Sequence, residues 1–140
     1  MSIVQGDLPD ARVLDLFAGS GALGLEALSR GAAAATFVEV SGRAIAALRQ
    51  NVQTLDASGR VTIQKGDAIR FVARLEARAY DVAFADPPYR LGLAEQLATR
   101  WLESSFASVL GIEHEKSVRL PGCKDRRAYG DTVVSFYRTS

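Results

Sequence analysis

Residues 13–24, VLDLFAGSGALG, constrain this chain more than any other stretch. An apolar run carries Asp15 near its end, and glycines follow at 19, 21 and 24, spelling G-x-G-x-x-G where a helix opens. A strand that enters a helix through a glycine turn implies a parallel neighbour, because the helix packs back along one face of the sheet. The alternation then repeats. Short, β-branched apolar runs at 12–16, 35–40, 61–65, 80–85 and 108–113 are separated by segments of helical period. The first helix is expected over 22–30, with Gly31 as its left-handed cap. Ser41 is expected to cap the second, with Ile45, Leu48, Val52 and Leu55 on one face. Asp67 should cap the third, marked by Ile69, Val72 and Leu75, and the fourth, about 91–102, should bury Leu97 and Trp101. After Pro121, RRAYGDTVVSFYR reads as two antiparallel strands turning at Gly130 and Asp131. The expected fold is α/β, a Rossmann-like doubly wound and mostly parallel sheet of about seven strands with an antiparallel C-terminal pair.

A chain of 140 residues fits one domain and leaves no room for a separate substrate domain of ordinary size. A net charge of +1 argues against a strongly basic nucleic-acid binder, although the residues from 116 onward hold six Lys and Arg against two Asp. A single cysteine, Cys123, excludes an internal disulfide framework and fits a reducing compartment. No run of 18 apolar residues and no secretory leader is present, so no membrane association is expected and the cytoplasm is the expected location.

The glycine pattern alone suits either of two cofactors, because glycines do the same backbone work for both. In a doubly wound sheet the ligand lies beyond the carboxyl ends of the strands. There the sequence places Asp15, Glu39, Asp67 and Asp86. The pyrophosphate of NAD would meet these acids as like charges, at a cost of about 4 kcal/mol per pair near 4 Å and an effective dielectric of 20. S-adenosylmethionine carries a sulfonium and an ammonium against one carboxylate, and suits an acidic rim. Asp15 is a candidate for its ammonium, Glu39 for both ribose hydroxyls and Asp67 for the adenine amino group.

FADPPYRLG, residues 84–92, is the more specific signal. Two prolines after a strand remove ladder donors and fix φ near −65°, so the chain leaves the sheet as a stiff arm. Such an arm presents Asp86 and the Pro87 carbonyl to an amino group, with Pro88 stiffening it and Tyr89 offering a flat stacking face. The lone pair of a nucleobase amine is delocalised into its ring. Hydrogen bonds from both N–H groups to Asp86 and the Pro87 carbonyl would turn that lone pair toward a methyl donor.

With these residues quoted, the chain resembles a class I S-adenosylmethionine-dependent methyltransferase of the RsmD family, whose members methylate the N2 amine of a guanine in bacterial small-subunit ribosomal RNA. The resemblance rests on 14–32, LDLFAGSGALGLEALSRGA, on FVE at 37–39, GDA at 66–68 and DPPY at 86–89. It implies that Asp15, Phe17, Ala18, Gly19, Ser20 and Gly21 surround the methionine end of the cofactor, Glu39 the ribose, Asp67 and Ala68 the adenine, and Asp86, Pro87, Pro88 and Tyr89 the acceptor amine. It also implies ribosomal RNA as partner, free or in an assembled particle, and action as a monomer. Family members carry a basic segment ahead of the first strand. Here only about eleven residues precede Arg12, so the chain is expected to be one methyltransferase domain, 1–140, without that segment. Two other readings stay open: a DNA methyltransferase acting on adenine N6 or cytosine N4, and a cofactor-binding domain that is not competent without the missing segment.

The remaining polar residues carry less. His114 has no metal or nucleophile partner in the sequence and is expected at the surface or a strand edge; no metal-ligand spacing appears. Cys123 lacks the context of a catalytic nucleophile. Lys124, Arg126 and Arg127 beside Tyr129 read either as a phosphate and base contact or as a solvated charged turn.

Overall fold

Each apolar run of the sequence becomes a strand of one sheet. The computed structural model describes residues 2–89 and 91–140. Its strands are β1 (Arg12–Leu16), β2 (Ala34–Glu39), β3 (Val61–Lys65), β4 (Tyr80–Ala85), β5 (Ala107–Glu115), β6 (Asp125–Tyr129) and β7 (Thr132–Arg138). Its helices are α1 (Ala22–Ser29), α2 (Gly42–Thr54), α3 (Ala68–Ala73) and α4 (Leu93–Glu103), with 3-10 turns at Ser2–Asp7 and Ser58–Arg60. The sheet order is β3-β2-β1-β4-β5-β7-β6. From β3 to β5 neighbours run parallel, while β7 lies antiparallel between β5 and β6. The fold is therefore the expected mixed α/β sheet with an antiparallel C-terminal pair. Strand order reverses between β1 and β4, the place beyond the strands' carboxyl ends where ligands bind in a doubly wound sheet.

Side chains alternate across each strand, so the sheet has an apolar layer on both faces. On one face Val13, Phe37, Val82, Phe84 and Phe136 pack with Leu25 and Leu28 of α1 and Leu48 and Val52 of α2. On the other, Leu14, Leu16, Ala83, Leu110 and Ile112 pack with Val72 of α3 and Leu97 and Trp101 of α4. Each large side chain so buried contributes about 1.5–3 kcal/mol. The Trp101 indole also donates to the Ala107 carbonyl at 2.9 Å and lies 5.3 Å from the Tyr137 ring.

The local signals held where the cause is local. Ser41 accepts the Ala44 N–H and Asp67 the Arg70 N–H, each at the helix start expected of it, and Gly31 has φ +105° beyond α1. Three expectations need correction. Leu55 is 60% exposed: it follows the last turn of α2, and its period does not hold beyond Val52. Helix α4 starts at Leu93, because Gly92 adopts φ +68° ahead of it. His114 is buried, since β7 pairs with β5 from Val109 to Glu115 and leaves it no free edge.

Candidate active site

The turn after β1 is built by close packing. Phe17 itself takes a left-handed φ of +58°, a strained conformation for an aromatic residue. A Cβ on Gly24 would stand 2.4 Å from Phe37 Cε1, so only glycine lets α1 lie this close to β2. Asp15 sits under the turn. It is 2% exposed, and its Oδ2 accepts the Gly24 N–H at 3.0 Å. Burial pushes its carboxyl up to about 7, against the lowering effect of that hydrogen bond, and the charges of Asp86 and Glu39 add to the rise. The Asn51 side chain donates to the Ser20 carbonyl at 3.0 Å, tying the turn to α2.

Glu39 closes β2 with three backbone hydrogen bonds. Oε1 accepts the Gly19 N–H at 2.8 Å, and Oε2 accepts the Val40 and Ser41 N–H groups, each at 2.9 Å. A carboxylate has about four acceptor positions, so one remains on Oε1, directed away from the turn's donor. The Glu39 carbonyl accepts the Gly66 N–H at 3.0 Å, which carries the end of β2 against the segment leading to Asp67.

These elements enclose a cavity of about 380 Å³ at the carboxyl ends of the strands, lined by Phe17, Glu39, Asp67, Ala68, Asp86 and Pro88. Val40, Leu91 and Leu93 complete its apolar wall; Val40 and Leu91 are strongly exposed, 60% and 61%. Exposed apolar side chains at a cavity mouth mark these two wall residues in the structure, and no sequence motif singles them out. Asp15 and Gly21 are buried and are not among the residues that line this cavity. Ala18 has its N–H bonded to the Val38 carbonyl, and Ser20 is exposed on the outer side of the turn. Pro87 and Tyr89 line a second cavity, about 170 Å³, together with Glu113 and His114.

Glu113 is the residue that sequence reasoning missed. Ala85 pairs with Ile112, which sets Asp86 beside Glu113 one step further along the two strands. Asp86 stays open to solvent on one side. Partial burial, then the charge of Glu113 and a hydrogen bond between the two carboxyls, hold Asp86 above the usual carboxylate range. No motif marks Glu113, because its partner is chosen by strand order.

Other polar groups resolve into structural roles. The basic cluster divides: the Arg126 guanidinium donates to the Lys116 and Val118 carbonyls, stapling the connection between β5 and β6, and Arg127 pairs with Asp125 at 3.0 Å. Tyr129, the last residue of β6, is left exposed at the end of the edge strand. His114 Nδ1 contacts the Glu115 carbonyl at 2.9 Å, which can only accept, so the ring proton sits on Nδ1 and Nε2 accepts the Ser135 hydroxyl at 2.7 Å. Burial lowers the affinity of His114 for a second proton.

Residues 1–138 match the family described as Conserved hypothetical protein 95. Over 87 residues the chain is 46% identical to ribosomal RNA small subunit methyltransferase D of Escherichia coli strain K12, which takes in 62% of this chain and 43% of that protein. The matched stretch thus spans less than half of that relative. Over 138 residues it is 34% identical to the putative rRNA methyltransferase YlbH of Bacillus subtilis strain 168, covering 91% of this chain and 75% of that protein. The solved structure of the putative methyltransferase yhhF from Escherichia coli superposes with a TM-score of 0.83 at 32% identity, over 97% of this chain and 79% of that one.

Proposed function

Since the chain belongs to the Conserved hypothetical protein 95 family, we propose that it is an S-adenosylmethionine-dependent methyltransferase acting on the N2 amine of a guanine in small-subunit ribosomal RNA. The relatives' names support the reaction and the RNA, and the resemblance through DPPY supports the amine. The observation that carries the reading is the cavity of about 380 Å³ on which Glu39, Asp67 and Asp86 converge. The ribosomal RNA is met free or in a small-subunit particle, in the cytoplasm, by a monomer.

The residues present fit the cofactor. The open acceptor position on Glu39 suits a ribose hydroxyl, and Val40 and Leu91 offer apolar faces to a flat ring. Asp67 stands at the same wall to accept from an exocyclic amine, while its other oxygen keeps the helix cap. When bound, S-adenosylmethionine supplies a methyl group from its sulfonium, the electrons of the broken carbon–sulfur bond staying on sulfur. Asp15 acts through the turn: by holding the Gly24 N–H from below it fixes α1 and the glycine backbone that faces the methionine end. Asp86 and the Pro87 carbonyl accept the two N2 hydrogens, turning the nitrogen lone pair out of conjugation. As the new carbon–nitrogen bond forms, N2 becomes cationic and loses one of these protons to the Asp86 carboxylate.

Two measurements test this. Calorimetric titration should give tighter binding of S-adenosylmethionine than of NAD; the reverse order ends the proposal. Incubation with unmodified small-subunit ribosomal RNA, followed by nucleoside analysis, should yield N2-methylguanosine. Methylated adenosine or cytidine in its place would overturn the acceptor assignment.

A further inference from the structure

Beside the carboxylate pair lies a third cavity, about 240 Å³, on the face of the sheet that carries Phe84 and Phe136. Its walls include Leu23, Phe84, Gly111, Tyr129 and Phe136, and among the described residues Glu113 is the one charged side chain that lines it. Glycine at 111 keeps the floor thin: a Cβ there would stand 3.1 Å from Phe136 Cε1 and project into the space. Asp86 lines the 380 Å³ cavity and Glu113 the 240 Å³ one, and the register of β4 against β5 sets the two residues side by side.

From this juxtaposition we infer that Glu113 selects the base: its carboxylate accepts the ring N1–H of guanine, seated in the apolar cavity, while Asp86 and the Pro87 carbonyl hold the N2 amine. The inference rests on the amine-methyltransferase reading and adds to it the residue that fixes which amine is taken. An ionised carboxylate offers acceptors alone. Guanine presents N1–H and N2–H side by side on one edge, so three hydrogens meet three acceptors. Adenine and cytosine have an amine next to a bare ring nitrogen, whose lone pair would face the Glu113 oxygens. Uracil has a ring N–H and no amine. Tyr129, exposed at the cavity wall, offers an aromatic face on which an extruded base can stack.

The test uses a short RNA around the guanine that the chain methylates, and the same RNA with 2-aminopurine at that position, which keeps the C2 amine and lacks the N1 hydrogen. The unsubstituted chain should prefer guanine in kcat/KM by at least about tenfold, the cost of facing a half-buried carboxylate with a lone pair. Glu113→Gln carries one acceptor and one donor, so its amide can serve either base. Its preference should fall to within about threefold, while Glu113→Asp retains the acceptor and the preference. The 2-aminopurine fluorescence of the second RNA reads binding without methyl transfer and should respond more strongly with Glu113→Gln than with the unsubstituted chain. Calorimetry with S-adenosylmethionine shows whether each variant is folded. Equal guanine preference in the unsubstituted chain and Glu113→Gln, with S-adenosylmethionine affinity intact, overturns the inference and leaves the methyltransferase reading standing. Failure of the unsubstituted chain to methylate any RNA guanine removes the reading itself, and the inference with it.

Discussion

Replacing Asp15 by Asn isolates the one deeply buried carboxyl under the glycine turn. Its carboxyl is held near 7 in the folded chain, against 3.8 for a free aspartate. Between these values the native state binds a proton that the unfolded chain has released, so folding stability falls as pH rises and levels off above about 7. At about 1.4 kcal/mol per unit, the loss from this group between pH 5 and pH 8 amounts to about 3 kcal/mol. Asn keeps an oxygen for the Gly24 N–H and cannot ionise, so Asp15→Asn should show a flatter profile by about that amount. Its added NH₂ costs about 1–3 kcal/mol if no acceptor is reached, which lowers the whole curve without changing its slope. Urea unfolding followed by circular dichroism at pH 5, 6, 7 and 8 gives the two profiles. Parallel curves for the two proteins would show that Asp15 does not titrate under the turn and would refute the argument. Calorimetry on the same samples separates the two placements of the charge. If Asp15 acts through the turn, S-adenosylmethionine affinity at pH 7 should change by less than about threefold; direct pairing with the ammonium would cost about tenfold or more.

Gly24→Ala should destabilise the fold by about 1–3 kcal/mol in thermal or urea unfolding, because the new methyl collides with the Phe37 ring. An unchanged midpoint would mean that α1 shifts freely. Glu39→Ala removes charged acceptors for three backbone N–H groups and should weaken S-adenosylmethionine binding by about 10- to 100-fold, read by calorimetry. Asp86→Ala should lower kcat by about 100-fold or more while leaving cofactor affinity within a few-fold. Because Asp86 is held above the usual carboxylate range, methyl transfer by the unsubstituted chain should fall on acidification at a pH higher than that of a free aspartate, and a rate flat down to pH 4 would contradict its role as proton acceptor.

What the sequence determined is what depends on residues a few positions apart. Ser41 and Asp67 cap helices because their oxygens reach an N–H three residues on, and the apolar runs mark strands because burial on both faces of a parallel sheet demands it. Glu39, Asp67 and Asp86 could be assigned to one rim because every parallel strand delivers its carboxyl end to the same side. Tertiary structure decided what depends on which strands become neighbours. The parallel register of β4 and β5 sets Glu113 against Asp86, and the insertion of β7 beside β5 buries His114 that spacing alone left at an edge. The depth of Asp15 and the reach of Arg126 to the Lys116 and Val118 carbonyls follow from the same cause, whereas Arg127 pairs with Asp125 only two positions away. Hydrogen bonds and desolvation act over a few ångströms, and only the folded chain brings residues twenty or more positions apart within that reach.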